Sequence, residues 1–364
     1  MIILGIETSC DETAAAVISA KNGAVSVLSN IVSSQVKLHS KWGGVVPNLA
    51  AREHLKNILP VIEEALKAAD VKLRDIDFLA VTAGPGLIPA LLIGVNSAKT
   101  LSYAGKIPAI SIHHIEGHIY ANFIRKKQKS KIEFPLLCLV VSGGHTELVL
   151  MKSHLKYKII GETVDDAAGE AFDKVARILG LGYPGGPAIA KRAMEFPISN
   201  YKFPNKLKIR KSKFEIFLPR PMINSNNFNF SFSGLKTAVL YETKKHPQLA
   251  KNQKYITAVC QEFQQAVIDV LICKTLAAAK KYKPKTICLA GGVSANNELR
   301  KQLEVEIKRN LPNTKYQIPD TKYSIDNAAM IATAAYFRYQ KEKNKKESPF
   351  SWKKIQADAN LILS

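Results

Sequence analysis

Cysteine is scarce in this 364-residue chain, and its placement rules out a covalent scaffold. Cys10, Cys138, Cys260, Cys273 and Cys288 are odd in number, scattered and mostly set in apolar runs, so neither a disulfide framework nor a zinc knuckle is expected, only reduced, buried thiols. No apolar run approaches the roughly 18 residues of a membrane span. The opening Met1-Ile2-Ile3-Leu4-Gly5 lacks the basic lead and the apolar length of a secretion signal and runs straight into Glu7 and Asp11. These absences predict a soluble, cytoplasmic protein without a membrane partner. Acidic residues are also short: 30 Asp and Glu stand against 52 Lys and Arg, a net charge of +22, which points to a polyanionic partner drawn by its phosphates.

What is present supports a folded, two-part molecule. Apolar side chains make up 46% of the chain, enough for two sizeable cores at this length. The basic residues cluster. Arg125, Lys126, Lys127, Lys129 and Lys131 form one run; Lys202, Lys206, Lys208, Arg210, Lys211, Lys213 and Arg220 form another, with Tyr201, Phe203, Phe214 and Phe217 interleaved and only Glu215 in compensation. Such a mixture can track a phosphate backbone while its rings stack on unpaired bases. A solvated, lysine-rich insertion would have the same composition.

The order of the runs repeats. Ile2–Ile6, a polar turn from Glu7 to Thr13, Ala14–Ile18 and Ala24–Val32 predict three consecutive strands, and Pro135–Val141, the turn Ser142-Gly143-Gly144-His145-Thr146, Glu147–Met151 and Tyr157–Ile160 predict three more. Each triplet is followed by a helical stretch, a strand, a glycine-bearing turn and another helix: Ala50–Ala69, Phe78–Thr82, Ala83-Gly84-Pro85-Gly86 and Ile88–Ala104 in the first half; Tyr255–Ala279, Thr286–Ala290, Gly291-Gly292-Val293-Ser294-Ala295-Asn296 and Glu298–Lys308 in the second. Two such units predict an α/β fold of two lobes, mixed sheets flanked by helices, with a ligand cleft between them. The glycine turns allow close backbone approach to that ligand.

Between the halves lies His113-His114-Ile115-Glu116-Gly117-His118. On a helix, His114 and His118 project from one face about a turn apart, a spacing that can grip one metal ion but supplies only half a site. A histidine-rich start to a surface helix would look the same. A zinc-protease reading fails on spacing, because it needs a glutamate directly after the first histidine and Glu116 is two after His114.

The duplicated arrangement resembles the actin-like ATPase (ASKHA) superfamily. Within it, Gly5-Ile6-Glu7-Thr8-Ser9-Cys10-Asp11-Glu12-Thr13, His114-Ile115-Glu116-Gly117-His118, Val141-Ser142-Gly143-Gly144-His145-Thr146, Tyr183-Pro184-Gly185-Gly186-Pro187 and Gly291-Gly292-Val293-Ser294-Ala295-Asn296 are similar, in order, to the motif series of the TsaD family of tRNA adenosine threonylcarbamoyltransferases. Phe230-Ser231-Phe232-Ser233-Gly234-Leu235-Lys236 resembles the signature of the bacterial branch. The resemblance implies a third metal ligand, Asp326, beside His114 and His118, with Fe(2+) or Zn(2+) as the ion. Read without it, Asp326 is a helix N-cap or first-turn acid, unless Ser324 takes the cap; His113 is a supporting group or a strand end. The resemblance also implies substrate contacts at Val140, Val141, Ser142, Gly143, Gly144, Asp173, Gly186 and Asn296, although Asp173 also reads as part of a solvated face with Glu170, Lys174 and Arg177. Ala190 departs from relatives that carry an acid there. The implied lobes are 1–112 and 113–340, the second holding the metal-binding helices and a basic insertion near 198–220, with a basic extension over 341–364 that reads as an RNA-binding arm or a solvated helix end. The implied activity is transfer of threonylcarbamoyl from threonylcarbamoyl-AMP to adenosine 37 of tRNA, with TsaB-type and TsaE-type protein partners. A plain actin-like ATPase or small-molecule kinase is the alternative.

Overall fold

The computed structural model describes residues 1–124, 132–195, 214, 216–343 and 350–363. The basic positions Arg125, Lys126, Lys127, Lys129, Lys131, Lys202, Lys206, Lys208, Arg210, Lys211 and Lys213 lie outside the described residues, and with them most of the expected RNA-tracking clusters.

In the first half, β1 (Ile2–Glu7), β2 (Glu12–Lys21) and β3 (Ala24–Ser34) are followed by the short α1 (Val36–His39), α2 (Pro47–Ala68), β4 (Phe78–Gly84), α3 (Ile88–Gly105), β5 (Ala109–His113) and α4 (His114–Tyr120). The second half contains β6 (Leu136–Val141), β7 (Thr146–Ser153), β8 (Lys156–Glu162), α5 (Ala168–Ile178), α6 (Gly185–Met194), α7 (Ser233–Lys245), α8 (Gln253–Tyr282), β9 (Thr286–Ala290), α9 (Asn297–Asn310), β10 (Lys315–Gln317) and α10 (Ala328–Glu342). The sheets run β3-β2-β1-β4-β5 and β8-β7-β6-β9-β10, the same order. In both, the first three strands pair antiparallel and the later two join in parallel. The internal repeat in the sequence is therefore a repeat of topology, and the fold is a duplicated actin-like one.

Alternation along the strands decides the layering. Leu137, Leu139 and Val141 of β6 face the core around α8, whereas Leu136, Cys138 and Val140 face a central core shared with α4 and α10. In β1, Ile3 joins the central core and Leu4 the outer core under α2 and α3. Both faces of β1, β4, β6 and β9 are covered, which is why these strands read as apolar runs, whereas β3 and β8 are partly exposed. One described helix, α8, is long and apolar enough to cross a membrane, but 89% of that window is buried within the second lobe. All five cysteines are free thiols, with Cys138, Cys260 and Cys288 buried and Cys10 and Cys273 partly so.

The last helix crosses over. Although α10 follows the second sheet in sequence, it packs on β1, β2 and β4 of the first and on α4, so the segment 113–340 also supplies a helix to the first lobe. Gly5 makes this approach possible: a Cβ there would collide with the Ala328 carbonyl and lie 3.0 Å from the Ala332 Cβ. Gly5→Ala is expected to lower stability by about 1–3 kcal/mol in urea denaturation; an unchanged midpoint would mean that α10 backs away freely.

The expected arm beyond residue 341 also differs from its sequence reading. Once described again at Phe350, the chain lies along the first lobe, with the Phe350 ring 5.0 Å from that of Phe78 and Ile355 and Leu363 buried. It is neither a free arm nor a solvated helix end there, because its apolar side chains find a core to enter.

Candidate metal centre and ligand cleft

The two central helices begin side by side, and the candidate ligands sit at those beginnings. His114 and His118 have ring centroids 4.6 Å apart at 81°. Asp326, just before α10, places Oδ1 3.6 Å from His114 Nε2 and 3.1 Å from His118 Nε2. The three ligand atoms lie within 4.8 Å of one another. Asp326 is free for this because Asn327 caps α10, its Oδ1 accepting from Met330 N at 3.1 Å. Neither sequence alternative for the cap holds: Ser324 instead accepts from Arg300 and donates to the Asp320 carbonyl.

The donor set fits a metal ion. His118 is 1% exposed, yet neither ring nitrogen has a hydrogen-bond partner, since the 3.1 Å approach to Asp326 is out of line for one. A buried imidazole with two orphaned nitrogens is costly unless something else takes a lone pair. Two imidazoles and a carboxylate are also a donor set for zinc or ferrous iron with positions left open.

Glu7, a motif residue with no role assigned from sequence, completes the arrangement. Fully buried at the end of β1, it places Oε2 3.1 Å from His114 Nδ1. Ser9 Oγ lies 3.2 Å from the same nitrogen, while Ser9 N and Thr82 Oγ1 donate to the Glu7 carboxylate. A carboxylate on Nδ1 fixes the tautomer that turns Nε2 and its lone pair toward an ion. Electrostatics agree. Burial opposes a charged His114, but the Asp326 and Glu7 carboxylates outweigh it and raise its pKa to about 9. Burial would likewise push Asp326 up, and the His114 and His118 rings more than reverse that.

His113 is both a strand end and a supporting group. It closes β5 and caps α4, Nδ1 accepting from Ile115 N at 3.1 Å, so Nε2 carries the proton and donates to the Leu361 carbonyl at 2.9 Å. Glu116 turns away from the ligands into a bidentate ion pair with Arg338.

Some of the implied substrate residues lie close to one another in the second half of the chain. The Ser142 carbonyl accepts from Gly169 N at 3.1 Å, and Gly291 lies against the Val141 carbonyl, which brings the turns 142–146 and 291–296 together. Gly143, Gly144 and Gly186 border open space. Val140 and Val141 bury their side chains in the two cores and offer only backbone. Asp173 is not part of the surface ion pairs. Lys174 pairs with Asp166 and Glu170, whereas Asp173 accepts from Gly185 N at 2.7 Å. Burial raises the Asp173 pKa, and the negative charge of Asp11 adds to the rise. Asn296 caps α9 through Oδ1 and donates to Gln264, so both ends of its side chain are engaged. Ala190 is half-buried on α6. Burial and the charges of His114 and His118 lower the pKa of His145, in the turn 142–146, to about 4.

A duplicated actin-like fold defines a two-lobed ASKHA protein, here with two histidines and an aspartate converging as a donor set that could hold a metal. Among solved structures, full-length HypF in its phosphate- and nucleotide-bound form is similar over 95% of this chain and 47% of its own, at 13% identity and a TM-score of 0.55, and HypF from T. kodakarensis over 97% and 49%, at 12% identity and a TM-score of 0.54. These likenesses concern the fold alone. The model of the family TsaD: tRNA N6-adenosine threonylcarbamoyltransferase matches residues 26–333, and the chain belongs to that family. Relatives bearing the same description include those of Persephonella marina, 48% identical over 93% of this chain and 91% of theirs, and Bacillus subtilis strain 168, 50% identical over 94% and 91%. The chain is thus a transferase of tRNA modification.

Proposed function

We propose that the chain transfers the threonylcarbamoyl group of threonylcarbamoyl-AMP to N6 of adenosine 37 in tRNAs reading codons that start with adenine, using Fe(2+) or Zn(2+) held by His114, His118 and Asp326. The observation that carries this reading is the convergence of those three side chains, with Glu7 orienting His114 and His118 otherwise without a partner. An ion bound there supplies a Lewis acid for the carbonyl under attack.

The chain's own residues supply position. Open backbone at Gly143, Gly144 and Gly186 lets the adenylate phosphate and ribose approach without side-chain obstruction. An exocyclic amine is a weak nucleophile, so holding it in line with the carbonyl is the main contribution to rate. A base in a loop unstacks at modest cost to reach the cleft. AMP is the leaving group, and the +22 charge favours tRNA as the polyanion.

The other readings are weaker. Phosphoryl transfer by a plain ATPase or small-molecule kinase leaves His114, His118 and Asp326 without a task. A protease needs Glu116 at the metal, and Arg338 holds it elsewhere. The test is reconstitution: purified chain, partner proteins, threonylcarbamoyl-AMP and unmodified tRNA should yield threonylcarbamoyladenosine on nucleoside digestion. No modified nucleoside, alongside a phosphorylated sugar or a cleaved protein, would reject the proposal.

Partners of the TsaB and TsaE types belong to the same proposal. Leu55 and Leu59 of α2 and Ile88 and Leu92 of α3 are 66%, 59%, 39% and 43% exposed on neighbouring helices, an apolar strip that a protein partner can cover. Leu59→Asp is expected to abolish co-elution with a TsaB-type partner while leaving the melting temperature unchanged. Co-elution as before would move the partner to another face.

A further inference from the structure

The segment Phe350–Leu363 has no part in the mechanism above, yet it ends at the metal centre. Aromatic anchors fix its start: Phe350 packs edge-on against Phe78, and Trp352 lies 5.6 Å from Tyr103 at 78°. Ile355, 1% exposed, then enters the outer core. Beyond it Ala357 and Leu363 still pack against the cores, and the segment adds hydrogen bonds at the C-terminal ends of β4 and β5, where open α/β sheets place their ligand sites. Asp358 N donates to the Ala83 carbonyl at 2.8 Å, Gly86 N to the Ala359 carbonyl at 3.4 Å, and His113 Nε2 to the Leu361 carbonyl at 2.9 Å. Gly84 is shaped for this contact, because a Cβ there would collide with the Asp358 carbonyl.

Two routes lead from these bonds to His114. Through His113, the Leu361 carbonyl is joined to the first turn of α4, since the other nitrogen of the same ring accepts from Ile115 N. Through the glycine turn, Ala359 holds Gly86, Leu87 N donates to the Ser9 carbonyl at 2.8 Å, and Ser9 Oγ lies against His114 Nδ1. The ligand is thereby braced from its helix and from its Nδ1 side by a segment remote in sequence.

We infer that residues 350–363 form a strap that positions the metal-binding helix and the Ser9 turn, so that the metal site is fully formed only when the strap is docked. The inference rests on the metal reading for its consequence but not for its test. Outer contacts of this kind typically govern metal affinity by about 10–100-fold.

The full chain is compared with a chain ending at Gln356, with His113→Asn and with Trp352→Ala. Asparagine can still cap α4 but is too short to reach Leu361, which separates capping from strap contact; Trp352→Ala loosens only the distal anchor. Competitive Co(II) and Zn(II) titration should show affinity reduced by about tenfold or more in the shortened chain and in His113→Asn, with a smaller reduction in Trp352→Ala. In the metal-free proteins, amide exchange at Ile115–Gly117 and at Gly86–Leu87 should quicken by about tenfold in the same two variants. Should the shortened chain fail to fold, His113→Asn decides. Affinity and exchange rates equal to those of the full chain in both the shortened chain and His113→Asn would overturn the strap. A full chain that binds neither ion would overturn the metal reading instead, and the exchange experiment would still judge the strap.

Discussion

His118→Ala is expected to strip the protein of its metal and to abolish threonylcarbamoyl transfer while the chain stays folded. His118 is the ligand with no other employment: it is buried in the central layer and makes no hydrogen bond that its loss would break. Truncation leaves a cavity worth about 1–3 kcal/mol and removes the Nε2 approach to Asp326, partly offset by removal of the buried, unpaired Nδ1. Metal affinity should fall by more than about 100-fold, beyond what supporting residues usually contribute. His114→Ala should lose metal equally but cost more stability, because the Glu7 carboxylate is then left buried without its ring. Metal content by elemental analysis and modified nucleoside by mass spectrometry check both; full stoichiometry in either variant would return these histidines to a structural role.

Proton and metal compete for the same imidazole. Without an ion, His114 keeps its proton to about 9 because Asp326 and Glu7 surround it. Its folded value lies above the ordinary 6.5, so its stabilising contribution is complete below that value and is lost as pH rises through about 9. Metal affinity should climb over the same window as the proton leaves. A flat pH dependence of affinity between 6.5 and 9 would mean that His114 is not a ligand.

The duplicated fold was legible because the central strands of both sheets are covered on both faces. Runs such as Leu136–Val141 then carry no polar interruption, and the order of runs and glycine turns repeats in the same sequence order in both halves. The histidine pair was legible as a pair through its helical spacing alone. The candidate third ligand was legible only through the family resemblance, since nothing local distinguishes Asp326 from a capping acid. The informative residue was its neighbour: Asn327, directly before an apolar helical run, is a strong N-cap, and recognising it would have freed Asp326. Glu7 was hidden for a different reason. An acid in a polar turn resembles any other, and its burial against a ring 107 residues away exists only after the first sheet and α4 have assembled. The same holds for Phe350 and Trp352, whose partners Phe78 and Tyr103 are far away in sequence, and for the crossing of α10 to the first sheet.

Arg338→Met is expected to be the most destabilising single change on the central helices, although it touches neither a ligand nor the cleft. Glu116 lies between the two metal histidines in sequence but on another side of α4, fully buried, with both carboxylate oxygens taken by the Arg338 guanidinium. Burial raises its pKa and the guanidinium counters that rise. Removing the cation strands a carboxylate in the central core, a loss of about 3–5 kcal/mol, whereas replacing both partners by apolar residues can be nearly neutral. The double variant Glu116→Leu/Arg338→Met should therefore recover most of the lost stability. A carboxylate whose folded pKa is raised binds its proton more tightly in the folded state, so the deficit of Arg338→Met should shrink as pH falls and Glu116 is neutralised. Urea denaturation at pH 7 and at acid pH measures both effects. A loss below about 1 kcal/mol would class the pair with exposed ion pairs of little worth. A large loss repaired by the double variant would show that α4 is held in place from its far side by apolar-compatible packing. His114 and His118 then converge on Asp326 because α4 is clamped to α10, the helix that Asp326 precedes.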